Sequence, residues 1–326
     1  MAYLLDQKHK ISFIHPSFKT ILAETERGLV DNNGNVVFPL VNGVYRIAKD
    51  DNYTSNFGLE WNVFQKTQID KFSGSDVSRV RFFAQTKWDN DLAEENILEV
   101  GSGAGRFSQV ILDYTKANLY SVDYSNAVDA NYRNNGPHQR LKLFQASIYE
   151  LPFEKESFDK VICLGVLQHT PDFKRSVQCL VQMVQPGGQL VVDFYPIKGW
   201  YTKLNAKYLL RPITKRMSHD RLMRMIRRNS GWLTKWYMFN KKIGLGVLNR
   251  FLPICVMDHK ELGLTKQQLK EWIVLDTFDM FSPTYDSPQR LSTVAKWFRE
   301  FGMKDIKAEI VEYKKGFLAA TVRGVK

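Results

Sequence analysis

The chain has 326 residues, with 46 Lys and Arg against 34 Asp and Glu, a formal net charge of +12. Hydrophobic residues at 44% and charged residues at 25% exclude wholesale disorder. No stretch reaches the ~18–20 continuous apolar residues of a membrane span, and MAYLLDQKHKISF at the start lacks the apolar run of a signal peptide. Cys163, Cys179 and Cys255 are too few and too scattered for a disulfide framework or a cysteine zinc site, which predicts a reducing, cytoplasmic setting.

Residues 1–50 read as short strands and turns, with a DNNGN turn before the alternating VVFPLVNGVYRI. An aromatic-rich stretch follows, then SGSD and a helix from Asp76, a plausible N-cap. From Asn96 strands alternate with helices. ILEV (97–100), NLYSVD (118–123), LKLFQA (141–146), FDKVICLG (158–165) and QLVVDFY (189–195) read as strands. Residues 106–116, 125–134 (capped by Ser125) and 173–184 read as helices, and QPGG (185–188) as a turn. Such alternation predicts an α/β fold with a parallel sheet covered on both faces. It stops over 196–285, a basic, aromatic and mostly helical segment with Pro212, Pro253 and Pro283 as breaks. A helix over 287–302, with Gly302 as C-terminal cap, and strands at 305–313 and 316–323 close the chain.

The charge is concentrated. Between Pro196 and Lys260 fifteen Lys and Arg face only Asp220 and Asp258, so this segment carries +13 and the remainder −1. The asymmetry suggests an anionic partner; a solvated basic surface is the plainer alternative.

The sharpest motif is ILEVGSGAGRF (97–107), where Gly101, Gly103 and Gly105 stand between a strand and a helix. A dinucleotide fingerprint would need glycine at 106, which is Arg106. Glu99 precedes the turn and favours a cationic ligand, and Asp123 ends the next strand, where a carboxylate accepts ribose hydroxyls. These residues resemble the class I S-adenosylmethionine-dependent methyltransferases. The resemblance implies a Rossmann-like sheet, with Gly101, Ser102, Gly103 and Gly105 at the methionine end, Asp123 at the ribose, and Glu99, Arg106 and Tyr124 among the cofactor contacts. QASIYELPF (145–153) resembles the adenine segment, with Ser147 where the family usually has Asp, and Ile148 beside it. FDKVICLGVLQHTPD (158–172) resembles the fourth strand and the loop beneath the donor methyl, which adds Leu164 and Gly165. The product would be S-adenosylhomocysteine.

VVFPLVNGVYRI (36–47) with SNFGLEWNVFQKTQID (55–70), and LDTFDMFSPTYDSPQ (275–289), resemble the flanks of bacterial methyltransferases of small-molecule and surface-polysaccharide biosynthesis with a small N-terminal, zinc-ribbon-like module. Relatives of that module hold zinc with cysteines; none precedes Cys163, so no metal is predicted. The expected organisation is a β-rich module over 1–60, a Rossmann-like core over 61–195 and 286–326, and a basic helical lid over 196–285 on the acceptor side.

Methyl transfer from a sulfonium is an in-line displacement, and positioning alone can supply ~7–11 kcal/mol. His169 is the best-placed general base, or else a loop residue packing on the cofactor. Gln168, Tyr195, Tyr201 and Tyr285 are candidate substrate contacts, and Asn56, Phe57, Glu60 and Trp61 a candidate lid. The expected acceptor is a small molecule or glycan, anionic in character: a nucleotide-sugar, a phosphorylated metabolite or a lipid-linked saccharide. The last would bring peripheral contact with the anionic inner membrane face. RNA ranks behind, because CLGVLQHTP lacks the Asn/Asp-Pro-Pro-Tyr of amino-directed nucleic-acid methyltransferases. A donor-binding scaffold without catalysis is the third reading. The acceptor atom and the oligomeric state are open.

Overall fold

The computed structural model describes residues 11–48, 52–256 and 262–326. The first ten residues, Asp258 and Lys260, all used in the readings above, lie outside the described residues.

Five short strands come first: β1 (Phe13–Ile14), β2 (Ile21–Thr25), β3 (Gly28–Val30), β4 (Val36–Val41) and β5 (Val44–Arg46). Neighbouring strands among them pair antiparallel. The DNNGN turn closes on Asp31, whose carboxylate accepts the N–H groups of Asn33 and Asn35, both at 2.9 Å.

Helices α1 (Ser55–Val63), α2 (Asp70–Ser73) and α3 (Val77–Thr86) follow. Asp76 occupies the N-cap of α3 but makes no capping bond. The orphan N–H groups of Ser78 and Arg79 donate instead to the Asp70 carboxylate, at 3.0 and 2.9 Å. Asp76 pairs with Lys314 and Arg79.

The alternating region contains β6 (Asn96–Val100), α4 (Arg106–Tyr114), β7 (Asn118–Asp123), α5 (Val128–Asn135), β8 (Leu141–Gln145), β9 (Phe158–Cys163), α6 (Phe173–Met183) and β10 (Val184–Phe194). Two expectations are corrected here. Helix α5 starts after Ser125, because that hydroxyl donates to Asp123 at 2.6 Å and accepts the Ala127 N–H at 3.2 Å. The QPGG residues lie within β10, as a register shift between Val184 and Gln189.

The insertion folds into α7 (Ala206–Thr214), α8 (His219–Lys242) and α9 (Lys266–Phe281), with 3₁₀ turns at Trp200–Lys203 and Gly246–Phe251. Pro212 sits inside α7 rather than breaking it. Helix α10 (Leu291–Glu300) and strands β11 (Lys304–Lys314) and β12 (Phe317–Val325) complete the fold. Gly302 follows α10 with φ +91°, as a left-handed stop requires.

The sheet order is β1-β2-β3-β4-β5-β8-β7-β6-β9-β10-β12-β11. From β5 to β10 the pairings are parallel, while β10–β12–β11 pair antiparallel, so the expected parallel sheet is mixed. The N-terminal strands are continuous with it through β5 and β8. Leu98, Val100, Val122, Phe144 and Val161 pack on one side of the sheet. Ile97, Leu119, Ile162 and Val191 pack with Phe82, Val110 and Ile111 of α3 and α4 on the other. Each such side chain contributes roughly 1.5–3 kcal/mol on burial. Helices cover both faces, as an α/β fold requires.

A third cluster joins distant segments. Phe64 and the partly buried Trp61 pack with Leu222 and Ile226 of α8 and Leu275 and Phe278 of α9. Helix α1 therefore shares a core with the insertion, and the two roof the carboxyl ends of the central strands. The chain leaves β6 toward β7 and β8 on one side, and β9 and β10 lie on the other. Such a reversal of strand order opens a crevice at that end of an α/β sheet.

Candidate active site

A cavity of about 1010 Å³ occupies the crevice, between the strand ends and the roof. Its floor begins at Val100, where the chain turns through Gly101–Gly105 into α4. Gly101 has φ +85°, and a Cβ there would lie 2.3 Å from Val166 Cγ2, so only glycine fits. The Trp61 indole covers Gly103, with Nε1 3.0 Å from the position a Cβ would take. The Ser102 hydroxyl is buried without a hydrogen-bond partner.

Asp123 pins this turn to β7. Its Oδ2 accepts the Gly103 N–H at 2.7 Å, and its Oδ1 accepts the N–H and hydroxyl of Ser125 at 2.8 and 2.6 Å. Burial pushes its carboxyl above the ordinary value, and the bonds from Ser125 and Gly103 oppose that shift. Tyr124, Ala146, Ile148, Leu164 and Gly165 continue the wall. The cradle suits a nucleoside linked to an amino acid. Asp123 would take the ribose hydroxyls, Tyr124 and Ile148 would flank the base, and the glycine turn would face the amino-acid end.

Four predicted contacts are not on the wall. Glu99 alternates onto the α4 side of the sheet, where Ser108 and Ser121 donate to its carboxylate, the latter at 2.8 Å. Burial raises it to about 7. Gly105 faces Asn131 and Asn135. The Ser147 hydroxyl accepts the Tyr149 N–H at 3.2 Å and does not line the cavity. The Tyr285 ring packs edge-on against Tyr53. Arg106 does line the cavity, with Nε donating to Ser78 Oγ and Nη1 to Gln68 Oε1, both at 2.9 Å. Burial and the nearby Arg81 lower it to about 10.

The far half of the cavity holds His169, Gln168, Tyr195 and Tyr201. His169 Nδ1 lies 3.1 Å from the Tyr285 carbonyl. A carbonyl only accepts, so Nδ1 carries the proton and Nε2 keeps its lone pair. Burial lowers the pKa of His169, which keeps it neutral at pH 7. Its Nε2 is 3.8 Å from Asp279 Oδ1, beyond hydrogen-bonding distance. The Tyr195 hydroxyl donates to Asp279 Oδ2 at 2.8 Å.

Glu60, Asp276 and Asp279 converge here from α1 and α9. Glu60 is fully buried, and neither carboxyl oxygen has a hydrogen-bond partner. Burial, then Asp279 and Asp276, push it well above the usual carboxylate range. In the unfolded chain Glu60 ionises near its ordinary pKa, while in the fold it keeps its proton to higher pH. Its penalty is therefore absent below the ordinary value and grows as pH rises toward the folded one. Glu60→Gln should leave the unfolding free energy unchanged at pH 4 and raise it by at least about 1 kcal/mol at pH 8. Urea unfolding at the two pH values measures this, and an equal effect at both would refute the assignment.

Sequence reasoning missed Arg81, Gln68 and Lys207. Arg81 pairs with the buried Asp193, Gln68 bridges Arg106 to Asp276, and Lys207 pairs with Asp286 at 2.9 Å. Each pairing spans segments far apart in sequence. Of the insertion's described basic residues, Lys198, Lys207 and Arg250 reach the cavity, whereas the arginines of α8 do not.

Residues 98–192 match the family described as a methyltransferase domain. They run from β6 to β10 and contain the glycine turn, Asp123 and His169. Over 206 residues the chain is 25% identical to a tRNA U34 carboxymethyltransferase of Idiomarina loihiensis, covering 61% of this chain and 58% of that one. Over 134 residues it is 28% identical to a ubiquinone biosynthesis O-methyltransferase of Coxiella burnetii, covering 40% and 56%. The chain thus spans little more than half the length of these relatives. Human N-acetylserotonin methyltransferase in complex with SAM aligns in structure with a TM-score of 0.42 and 10% identity, over 84% of this chain and 56% of that one. The chain thus contains a methyltransferase domain over residues 98–192, set in a Rossmann-like α/β fold.

Proposed function

We propose that the protein transfers a methyl group from S-adenosylmethionine to a small-molecule or glycan acceptor that bears an anionic group. One observation carries this reading: a single cavity joins the glycine turn and Asp123 to His169 and to cationic side chains of the insertion. The donor supplies a methyl group activated on sulfur. Asp123 anchors the ribose, the glycine turn and Ser102 meet the amino-acid end, and Arg106 offers its guanidinium to a carboxylate. Lys198 and Arg250 bind the anionic part of the acceptor, and α1 with the insertion excludes water.

His169 is the general base for a hydroxyl or protonated amine, with Nε2 free to accept the proton. Its Phe57 neighbour, with ring centroids 5.1 Å apart, and Tyr195 fix the imidazole plane. His169→Ala should lower kcat by ~10²–10⁴-fold under conditions where chemistry limits turnover. A kcat within about threefold of wild type would remove the base role.

A second reading, RNA as acceptor, is favoured by the relative named for tRNA U34. Incubation with methyl-labelled donor and fractionated host extract separates the two. Label in the aqueous small-molecule pool or in organic-soluble lipid supports the first reading, and label in RNA the second. No label in any fraction would sink methyl transfer itself.

A further inference from the structure

The aromatic residues of the insertion are largely unused by the cavity. Among the described residues 26 large hydrophobic side chains are exposed, and 15 of these lie between Trp200 and Phe251. Helix α8 shows the pattern. Leu222, Met223, Ile226 and Leu233 are buried, while Trp232, Trp236, Phe239 and Ile243 stand exposed at helical spacing.

Hydrogen bonds tie two further elements with exposed side chains to this helix. Asn240 Nδ2 donates to Asn249 Oδ1 at 2.9 Å, and Asn249 Nδ2 to the Tyr237 carbonyl at 3.0 Å. These hold the Gly246–Phe251 turn on the end of α8. Arg250 Nη2 donates to the Tyr201 carbonyl at 2.9 Å and so ties in the Trp200–Lys203 turn. Trp200 is 87% exposed and Val247 76%. Tyr201, Tyr237, Val247 and Arg250 also line the cavity, so the two turns and α8 border its mouth.

Charge identifies what covers this face. From Lys198 to Arg250 the only acidic residue is Asp220, and Arg221, Arg224 and Arg228 stand on the helix that carries the tryptophans. Exposed indoles flanked by basic residues suit the headgroup region of an anionic bilayer, which attracts Lys and Arg at its surface. No helix among the described residues is long and apolar enough to cross a membrane, so the contact is interfacial.

We propose that this face docks the protein on an anionic lipid surface and turns the cavity mouth toward an acceptor carried there. The docking stands on the surface alone; only the origin of the acceptor rests on the methyl-transfer reading. The full chain should co-sediment with vesicles of phosphatidylcholine mixed with phosphatidylglycerol, weakly with phosphatidylcholine alone, and less as salt rises. The triple variant Trp232→Ala, Trp236→Ala, Phe239→Ala should bind the mixed vesicles at least about tenfold more weakly. Arg221→Gln with Arg224→Gln and Arg228→Gln should remove the preference for the anionic lipid. Unchanged calorimetric titration of S-adenosylhomocysteine by both variants shows that the fold persists. Wild-type protein left in the supernatant, or sedimentation indifferent to the aromatic variant, would overturn the proposal. So would a dimer that the aromatic variant dissociates without any vesicle binding, since a second copy would then cover the face. Methyl transfer without vesicle binding would sink the docking and leave the enzymatic reading standing; vesicle binding without methyl transfer would do the reverse.

Discussion

Asp123→Ala should lower the affinity for S-adenosylhomocysteine by ~10²–10⁴-fold, measured by isothermal titration. The carboxylate acts twice. It would accept the ribose hydroxyls, and charge-assisted hydrogen bonds of that kind contribute roughly 1.5–3 kcal/mol each, or ~3–6 kcal/mol for two. It also holds the Gly103 N–H at 2.7 Å and so fixes the turn on which the amino-acid end would rest. Ser125→Ala removes only the 2.6 Å bond from that hydroxyl to Oδ1 and should cost less than about tenfold. Asp123→Asn should fall between the two, because an amide keeps one acceptor oxygen and loses the charge. An alanine variant within threefold of wild type, or wild type showing no heat at all, would refute the donor site.

How far the site was legible in the sequence follows from how local its physics is. The glycine turn was readable because a strand, three glycines and a helix within eleven residues leave few conformations, and Asp123 because it ends the next strand. Glu99 was misplaced although strand alternation is equally local. With Leu98 and Val100 on the side that leads to the cavity, Glu99 must face α4, where Ser108 and Ser121 receive it. Applying period two to ILEV would have corrected it. The alternation of strands and helices gave away the centre of the sheet. The antiparallel closing strands reflect the long β11–β12 hairpin pairing with β10, a non-local choice. The roof was expected from Asn56, Phe57, Glu60, Trp61 and the insertion, but the contacts within it were not legible. Nothing near residue 60 announces Asp276, and their meeting depends on α1 packing against α9 through Phe64, Leu275 and Phe278.

Arg81→Ala should destabilise the fold by ~3–5 kcal/mol in urea unfolding, the largest stability effect expected of a single charged residue here. Asp193 is buried at the end of β10. It accepts from Arg81 Nη2, from Gln85 Nε2 at 2.6 Å and from the Gly165 N–H, which joins α3, β10 and the loop after β9 at the cavity wall. Removing the guanidinium leaves the carboxylate buried with only neutral donors, and desolvation then outweighs what remains. Arg81 also lies over the rings of Phe107 and Tyr313, 5.4 and 5.6 Å from their centroids, so alanine loses packing as well. One effect opposes these losses: without Arg81 the buried Arg106 is relieved of a like charge. Arg81→Lys keeps the charge but not the planar fork that reaches Asp193 and Gln85 together, and should recover only part of the loss. Arg81→Met combined with Asp193→Leu removes both buried charges. It should unfold closer to wild type than Arg81→Ala does, while donor affinity still falls because the Gly165 N–H has lost its acceptor. If Arg81→Ala unfolds within about 1 kcal/mol of wild type, the ion pair is not what holds the loop after β9 against the sheet.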